Sequence, residues 1–459
     1  VYLDDKLISF GQYADYPETP VYEDVILPAA TGSKLKITVW HSGIDSQTHI
    51  ATEAYVAFCI YEGENIIYSS SSETLCRPTP EYIPHLCKII TGQMGAGFAM
   101  NGRAETLELR KAVAKNIEIK SLRKRTTKPL YLDKAIEGTV IEQGYCKFNG
   151  GEDSASVVSN SSLTDDICTA DGKYYLFDLG SENVGFPEIS FNTENECEVY
   201  IGWGEHIVDG KCRAAIHSRR FTTEILAKEG VNDYFPVLRR FGLRYMQIYF
   251  TSPKVNNVSL KFHSTLLPVE IKSFEFYGEK AELRKKIRDT AIHTLRCCMH
   301  EHYEDCPWRE QALYTLDSRN QMLAGYEVFI DKNADFVRAN LDLISRGVRK
   351  DGILALCYPA GLDYPIPFYT LAYLMQVEEY IVNTGDISLA EEKFDILVKL
   401  LDVFYARSGG NGLAKRFPDS EGYWNFYEWS KFLSGSPKFK KLSKEDADRI
   451  RKMIEDFEE

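Results

Sequence analysis

Asp305, Glu310 and Asp317 are three carboxylates in one short stretch, residues 304–319, that also holds Cys306, Pro307, Trp308, Arg309 and Tyr314. Carboxyl groups gathered in this way can divide the work of cleaving a sugar: one donates a proton to a leaving oxygen while others accept hydrogen bonds from hydroxyls. Pro307 suits the first turn of a helix and Asp305 can cap its exposed amides, so a helix is predicted to start here. Helical period would place Glu310 and Asp317 on one face, separated by roughly 10 Å of axial rise. Tyr314 would lie between them and Arg309 near the helix start. The plainer alternative is a solvated, charged helix face.

Two further groups carry chemistry-bearing side chains. Cys297, Cys298, His300, His302, Asp305 and Cys306 include good zinc-ligand types, yet their spacing fits no standard zinc site, so helix-end packing is favoured and no metal is assigned. A Cys306 nucleophile paired with histidine lacks an identified orienting group. Trp424, Phe426, Tyr427 and Trp429 follow a glycine-rich loop. Indole faces such as those of Trp424 and Trp429 can stack on a sugar ring, and the same residues can equally pack the base of a long loop. No glycine pattern cradles a phosphate, and no cofactor is called for.

The elements that must position these residues fall into three segments. From residue 1 to 126 the texture is of short strands, such as 36–40 and 55–61, bounded by turn residues, which predicts a β-sandwich. The basic, proline-ended run 124–129 marks a boundary. From 127 to 270 a second β-sandwich is expected, with strands at 174–180 and 197–203 stopped by glycine. From 271 to 459 the period becomes helical. Leu283, Ile287, Ala291, Leu295 and Cys298 form one stripe, and Phe336, Val337, Asn340, Leu341 and Ile344 another. A helix from about 368 to 383 ends at Gly385, and the next opens with a capping box at Ser388 and Glu391. A last stripe of Ala447, Ile450, Ile454 and Phe457 runs to the end of the chain.

The 459 residues, 44% hydrophobic and 26% charged, read as a globular chain of two or three domains. A net charge of −13 argues against nucleic acid or an anionic membrane as the main partner and is compatible with a neutral sugar. Eleven scattered cysteines favour reduced thiols and a cytoplasmic location. No run reaches the length of a membrane span.

Asp-Cys-Pro-x-Arg-Glu followed seven residues later by Asp, with Asp305, Glu310 and Asp317 matching position for position, resembles the signature of bacterial α-L-rhamnosidases, six-hairpin glycoside hydrolases. Asp178-Leu179-Gly180 through Gly185, Gly204-Glu205 with Asp209-Gly210, and Phe241-Gly242-Leu243-Arg244-Tyr245 resemble, in order, the second sandwich of that family. The departure is Tyr314 where the family usually has tryptophan. The resemblance implies two jelly-roll-like sandwiches followed by the first half of an (α/α)6 barrel. It also implies inverting exo-hydrolysis of terminal α-L-rhamnosyl residues, Glu310 as general acid, and Asp305 and Asp317 as hydroxyl-binding groups. A rhamnose-containing glycoside is then the expected partner. It further implies that the first strands of the front module, the second half of the barrel and the general base lie outside these residues. A half barrel would expose apolar helix faces, with a homodimer as one consequence. Two alternatives stay open: a non-catalytic carbohydrate-binding protein, and a six-hairpin glycosidase acting on another neutral or deoxy sugar.

Overall fold

The computed structural model describes residues 1–435 apart from 12–14, 29–31, 84–88, 116–120 and 432. β-structure occupies the first part of the chain and helices the second. The last apolar stripe, Ala447 to Phe457, lies outside the described residues.

Alternating apolar residues in Gly172–Thr193, Cys197–Gly204, Phe241–Phe250 and Val255–Leu266 produce the long strands of one large sheet. Its order runs Tyr131–Leu132, Val255–Leu266, Gly172–Thr193, Phe241–Phe250, Cys197–Gly204, Thr222–Ala227, Ala99–Asn101, Tyr82–Ile83. Gly180 was expected to stop a strand. Instead the chain bends there, with φ +81°, and continues to Thr193. The register against Phe241–Phe250 breaks between Asp178 and Asn183. Before the bend the strand also pairs with Thr139–Lys147, and after it with Val255–Leu266 and Gly230–Tyr234. One strand therefore serves two sets of neighbours. Gly185 makes the crossing possible, because a Cβ there would lie 1.9 Å from the His263 carbonyl. The enclosed core holds Phe177, Ile189, Trp203, Phe221, Met246, Ile248 and Phe262.

Residues before Arg125 form short ladders of two to five residues. Of the segments expected at 36–40 and 55–61, only Leu35–Lys36 and Cys59–Glu62 are paired. The strand Ala99–Asn101 runs parallel to Thr222–Ala227 and so extends the large sheet across the boundary expected near residue 126.

Six helices are present among the described residues: α1 (Ser154–Asn160), α2 (Ala281–Cys297), α3 (Thr315–Val328), α4 (Ala334–Ser345), α5 (Pro367–Thr384) and α6 (Ser388–Ala406). α4 buries all five residues of its predicted stripe. α5 has proline in its first turn and ends at left-handed Gly385, φ +76°. Two details depart from expectation. Of the predicted stripe, Leu295 and Cys298 are buried while Leu283, Ile287 and Ala291 are exposed, and α2 buries Ile292 and Cys297 besides, because only its C-terminal half meets the sheet and α3. At the start of α6 the capping group is Asp386, which accepts from Ser388 N at 2.9 Å and Ser388 Oγ at 2.6 Å. Ser388 points to that carboxylate and makes no box with Glu391.

α5 packs against α3, α4 and α6 in an open array that does not close into a barrel. Phe394, Val398, Leu401 and Tyr405, spaced four, three and four residues apart on α6, are exposed. None of these helices is long and apolar enough to cross a membrane. We expect this stripe to drive self-association: Phe394→Glu with Leu401→Lys should shift light-scattering mass toward monomer. An unchanged mass would show that the stripe makes no contact between copies.

Candidate active site

Residues 305–314 are not helical. Pro307 opens a single turn through Glu310, Gln311 adopts a left-handed conformation with φ +54°, Tyr314 is extended, and α3 begins only at Thr315. The predicted start of a helix at Pro307 is thus corrected, and with it the placing of Glu310 and Asp317 on one helix face. Tertiary packing overrides the local signal. Trp308 is 1% exposed and sits in the core of the sheet domain, with ring centroids 4.6 Å from Phe221 and 5.4 Å from His206. A continued helix would turn this indole away from its pocket. Two glycines make room for it: a Cβ at Gly242 would lie 2.1 Å from the Pro307 carbonyl, and one at Gly204 would lie 2.9 Å from the Trp308 ring.

The loop closes on itself through Asp305. Its N–H donates to Ala312 O at 2.9 Å, and its Oδ1 accepts from Ala312 N at 3.1 Å. Gln311 Nε2 donates to Pro307 O at 2.7 Å. Beneath it lies a buried ion pair, Arg240 with Glu304. Asp305 is consequently a lining carboxyl that also staples the loop.

Glu310 has both oxygens engaged. Arg219 donates to Oε1 at 2.8 Å and the Tyr314 hydroxyl to Oε2 at 2.9 Å. Tyr314 Oη also lies 3.1 Å from Gln47 Oε1. Burial, followed by the Glu310 charge, pushes Asp305 up to about 7. Burial likewise pushes Asp317, in the first turn of α3, up to about 6, the Glu310 charge adding to it. Three carboxyl groups thus share one partly enclosed region, and two of them, Asp305 and Asp317, hold their protons closer to neutral pH than free carboxyls do. Arg309 is exposed, with the carboxyl groups of Glu310, Asp305 and Glu205 near its charge.

The aromatic loop reaches the same place. Trp424 packs with Ala312, Tyr314, Leu316, Tyr369 and Phe426 in one cluster, its Nε1 donating to Ser434 O at 2.8 Å. Trp429 meets Trp424 and Phe426 edge-on at 5.7 and 4.8 Å while remaining 75% exposed. Of the residues singled out in the sequence, Asp305, Glu310, Tyr314, Asp317 and Trp424 are brought together, Arg309 lies at the rim, and Trp429 stands on it as an uncovered ring.

Sequence reading missed Arg219, Gln47 and Tyr369. Arg219 sits on a two-residue strand of the Ala215–Ile216 and Arg219–Arg220 hairpin, too short to give a pattern, and ninety-one positions separate it from Glu310. It also missed Glu182, which burial and then Glu205 push up to about 9. The cysteine and histidine cluster holds no metal-like group: no set of three such ligands occurs among the described residues.

Residues 278–442 match the family model of the bacterial alpha-L-rhamnosidase 6 hairpin glycosidase domain. This part of the chain is similar to that domain family. Solved rhamnosidases resemble the fold more widely. The rhamnosidase of Bacillus sp. GL1 aligns over 60% of this chain and 27% of its own, with 20% identity and a TM-score of 0.51. The α-L-rhamnosidase of Dictyoglumus thermophilum aligns over 68% and 34%, with 20% identity and a TM-score of 0.50. That of Streptomyces avermitilis, solved with L-rhamnose, aligns over 71% and 30%, with 15% identity and a TM-score of 0.52. At these identities the likeness is one of fold, and the chain spans about a third or less of each rhamnosidase. No curated protein matches the sequence.

Two outcomes test the geometry of this site. Gly242→Ala should cost about 1–3 kcal/mol by forcing the Pro307 carbonyl away, and should move Trp308 fluorescence to longer wavelength; an unshifted spectrum would mean that the loop is not held by this contact. Asp305 holds its proton more tightly folded than unfolded, so its stabilising contribution is complete below about pH 4 and is lost as pH rises through about 7. Asp305→Asn should therefore raise stability at pH 8 by on the order of 1 kcal/mol after solvent screening, with no gain at pH 4. Thermal melts at the two pH values decide it.

Proposed function

We propose that this chain is the sheet-and-helix part of an inverting exo-glycosidase that removes terminal α-L-rhamnosyl residues from glycosides. The observation that carries the reading is the meeting of Glu310, Asp305 and Asp317 on the Trp308-anchored loop and the first turn of α3, inside a segment that matches the six-hairpin glycosidase domain.

In this reading Glu310 protonates the leaving oxygen. Both of its oxygens are engaged, so the glycosidic oxygen must replace one partner, Arg219 or Tyr314, as the substrate enters. Asp305 and Asp317 accept hydrogen bonds from the sugar hydroxyls, Arg309 closes the rim, and Trp424 and Trp429 face the carbon skeleton of the ring. Inversion needs a base on the opposite face, with carboxyl groups roughly 6.5–9.5 Å apart. That role is assigned to none of the described residues.

A second reading, hydrolysis of another neutral or deoxy sugar, is favoured by Tyr314 itself. Its hydroxyl binds Glu310, a contact that the indole usual at this position cannot make in the same way.

Glu310→Gln in the full-length protein should lower kcat toward an alkyl α-L-rhamnoside by about 10²–10⁴-fold with little change in sugar affinity, and by less for an aryl substrate with a good leaving group. Wild-type turnover of the alkyl substrate would refute the acid assignment. Asp317→Asn should weaken rhamnose binding in calorimetry, charge-assisted bonds being worth about 1.5–3 kcal/mol.

A further inference from the structure

Apart from the carboxylate site, a cavity of about 490 Å³ lies where three parts of the chain meet. The segment 38–49 forms one wall, Leu238 and Arg239 of the sheet domain another, and His300, His302, Glu304 and Gln311 the third. Its size falls in the range of small-molecule sites, roughly 300–1,000 Å³. Of the loop residues between Asp305 and Asp317, only Gln311 contributes to the wall. Asp305, Glu310 and Asp317 do not.

We propose that this cavity is a second binding site, for a neutral, hydroxyl-rich ligand the size of a monosaccharide. The chemistry of the wall selects that class. His300 and His302 are buried, and burial holds both imidazoles well below their ordinary range, His302 at about 4, so both are uncharged at neutral pH. His302 Nδ1 lies 2.7 Å from the Tyr303 carbonyl, which can only accept, so the proton is on Nδ1 and Nε2 is a free-standing acceptor. His300 Nδ1 faces Glu304 Oε1 at 3.5 Å, and His41 Nε2 lies 2.8 Å from Thr52 O. His49 Nε2 is buried with no hydrogen-bond partner. The acceptor nitrogen of His302 and the unpartnered ring nitrogen of His49 call for hydroxyl groups, which can both donate and accept.

Charge excludes the other classes. The two carboxylates of the wall face guanidinium groups already, Glu23 with Arg125 and Glu304 with Arg240. Arg239 donates to Ala96 O and Met94 O, both at 2.7 Å, and lies over the Trp40 ring. A cation would meet Arg239, and an anion would find that guanidinium group committed to the two carbonyls. Trp40, Val39 and Leu238 supply apolar surface for the carbon face of a ring. The proposal does not depend on Glu310 being an acid.

The test uses this chain with its nine histidines labelled in the ring with nitrogen-15, titrated with L-rhamnose, D-glucose and glycerol. We expect saturable shifts of the His300, His302 and His49 ring nitrogens with at least one sugar, persisting in Asp305→Asn and Asp317→Asn. His302→Gln should weaken this binding at least tenfold. Val39→Trp, at an exposed position on the cavity wall, should block it without disturbing the core, so a folding defect in the first variant leaves the second decisive. Histidine signals that stay unmoved at saturating sugar, or shifts abolished by Asp305→Asn and Asp317→Asn, would overturn the proposal. Loss of turnover in Glu310→Gln with unmoved cavity histidines would overturn it while leaving the glycosidase reading intact.

Discussion

The insertion of Trp308 into the sheet domain is the contact on which the site depends. An indole buried to 1% contributes hydrophobic free energy on the order of 3 kcal/mol or more, enough to outweigh the weak preference of Pro307 and its neighbours for a helix. Once that ring is fixed between Phe221 and His206, the chain on either side has little freedom. Asp305 must lie where it can bond Ala312, Gln311 must turn left-handed, and Glu310 must emerge beside the Arg219 hairpin. The acidic cluster is therefore a product of the interface between sheet and helices and belongs to neither alone.

That origin explains why glycines of the sheet domain and a motif of the helical domain occur together. Gly204 ends one strand and Gly242 lies near the start of the strand paired with it. Both sit where Pro307 and Trp308 touch the sheet, and both exclude a side chain for that reason. Read along the chain, Gly204-Glu205 and Phe241-Gly242 are commonplace β-protein pairs. Across the interface they are the socket for the loop.

The buried charges follow the same division. Arg240 with Glu304, and Arg125 with Glu23 and Glu301, are matched pairs that tie the β-rich part to the start of the helical part. Matched pairs at such depth add little net stability but penalise any arrangement that separates them, so they act mainly to hold one docking geometry. Asp305 and Asp317 are different. They are pushed up to about 7 and 6 by burial and by a third carboxyl group, a cost to stability that packing alone gives no reason to retain. Strain of this kind is concentrated in sites that handle protons or bind polar ligands.

Legibility in the sequence divides along the range of the forces involved. α4 and α5 were readable because a stripe such as Phe336, Val337, Asn340 and Leu341, or a proline-first, glycine-last helix, is set by neighbours one or two turns away. The long strands were readable from alternation, although Gly180 bends its strand where a stop was expected, since a strand continues wherever both sides still find partners. The carboxylates lie near one another as their spacing suggested, but on a loop and a helix start where one helix was expected, because the proline and aspartate signals are local whereas the Trp308 pocket is assembled from residues near 204, 221 and 242. Arg219 lay beyond reach altogether. It belongs to a hairpin with no periodicity, and its meaning comes only from the 2.8 Å bond to Glu310. Since that hairpin is part of the sheet domain, the orientation of Glu310 is set by one domain while the carboxylates around it are carried by the loop and the start of α3 in the other. A change in how the two domains dock would then move Glu310 relative to Arg219 even if every residue of the loop were kept.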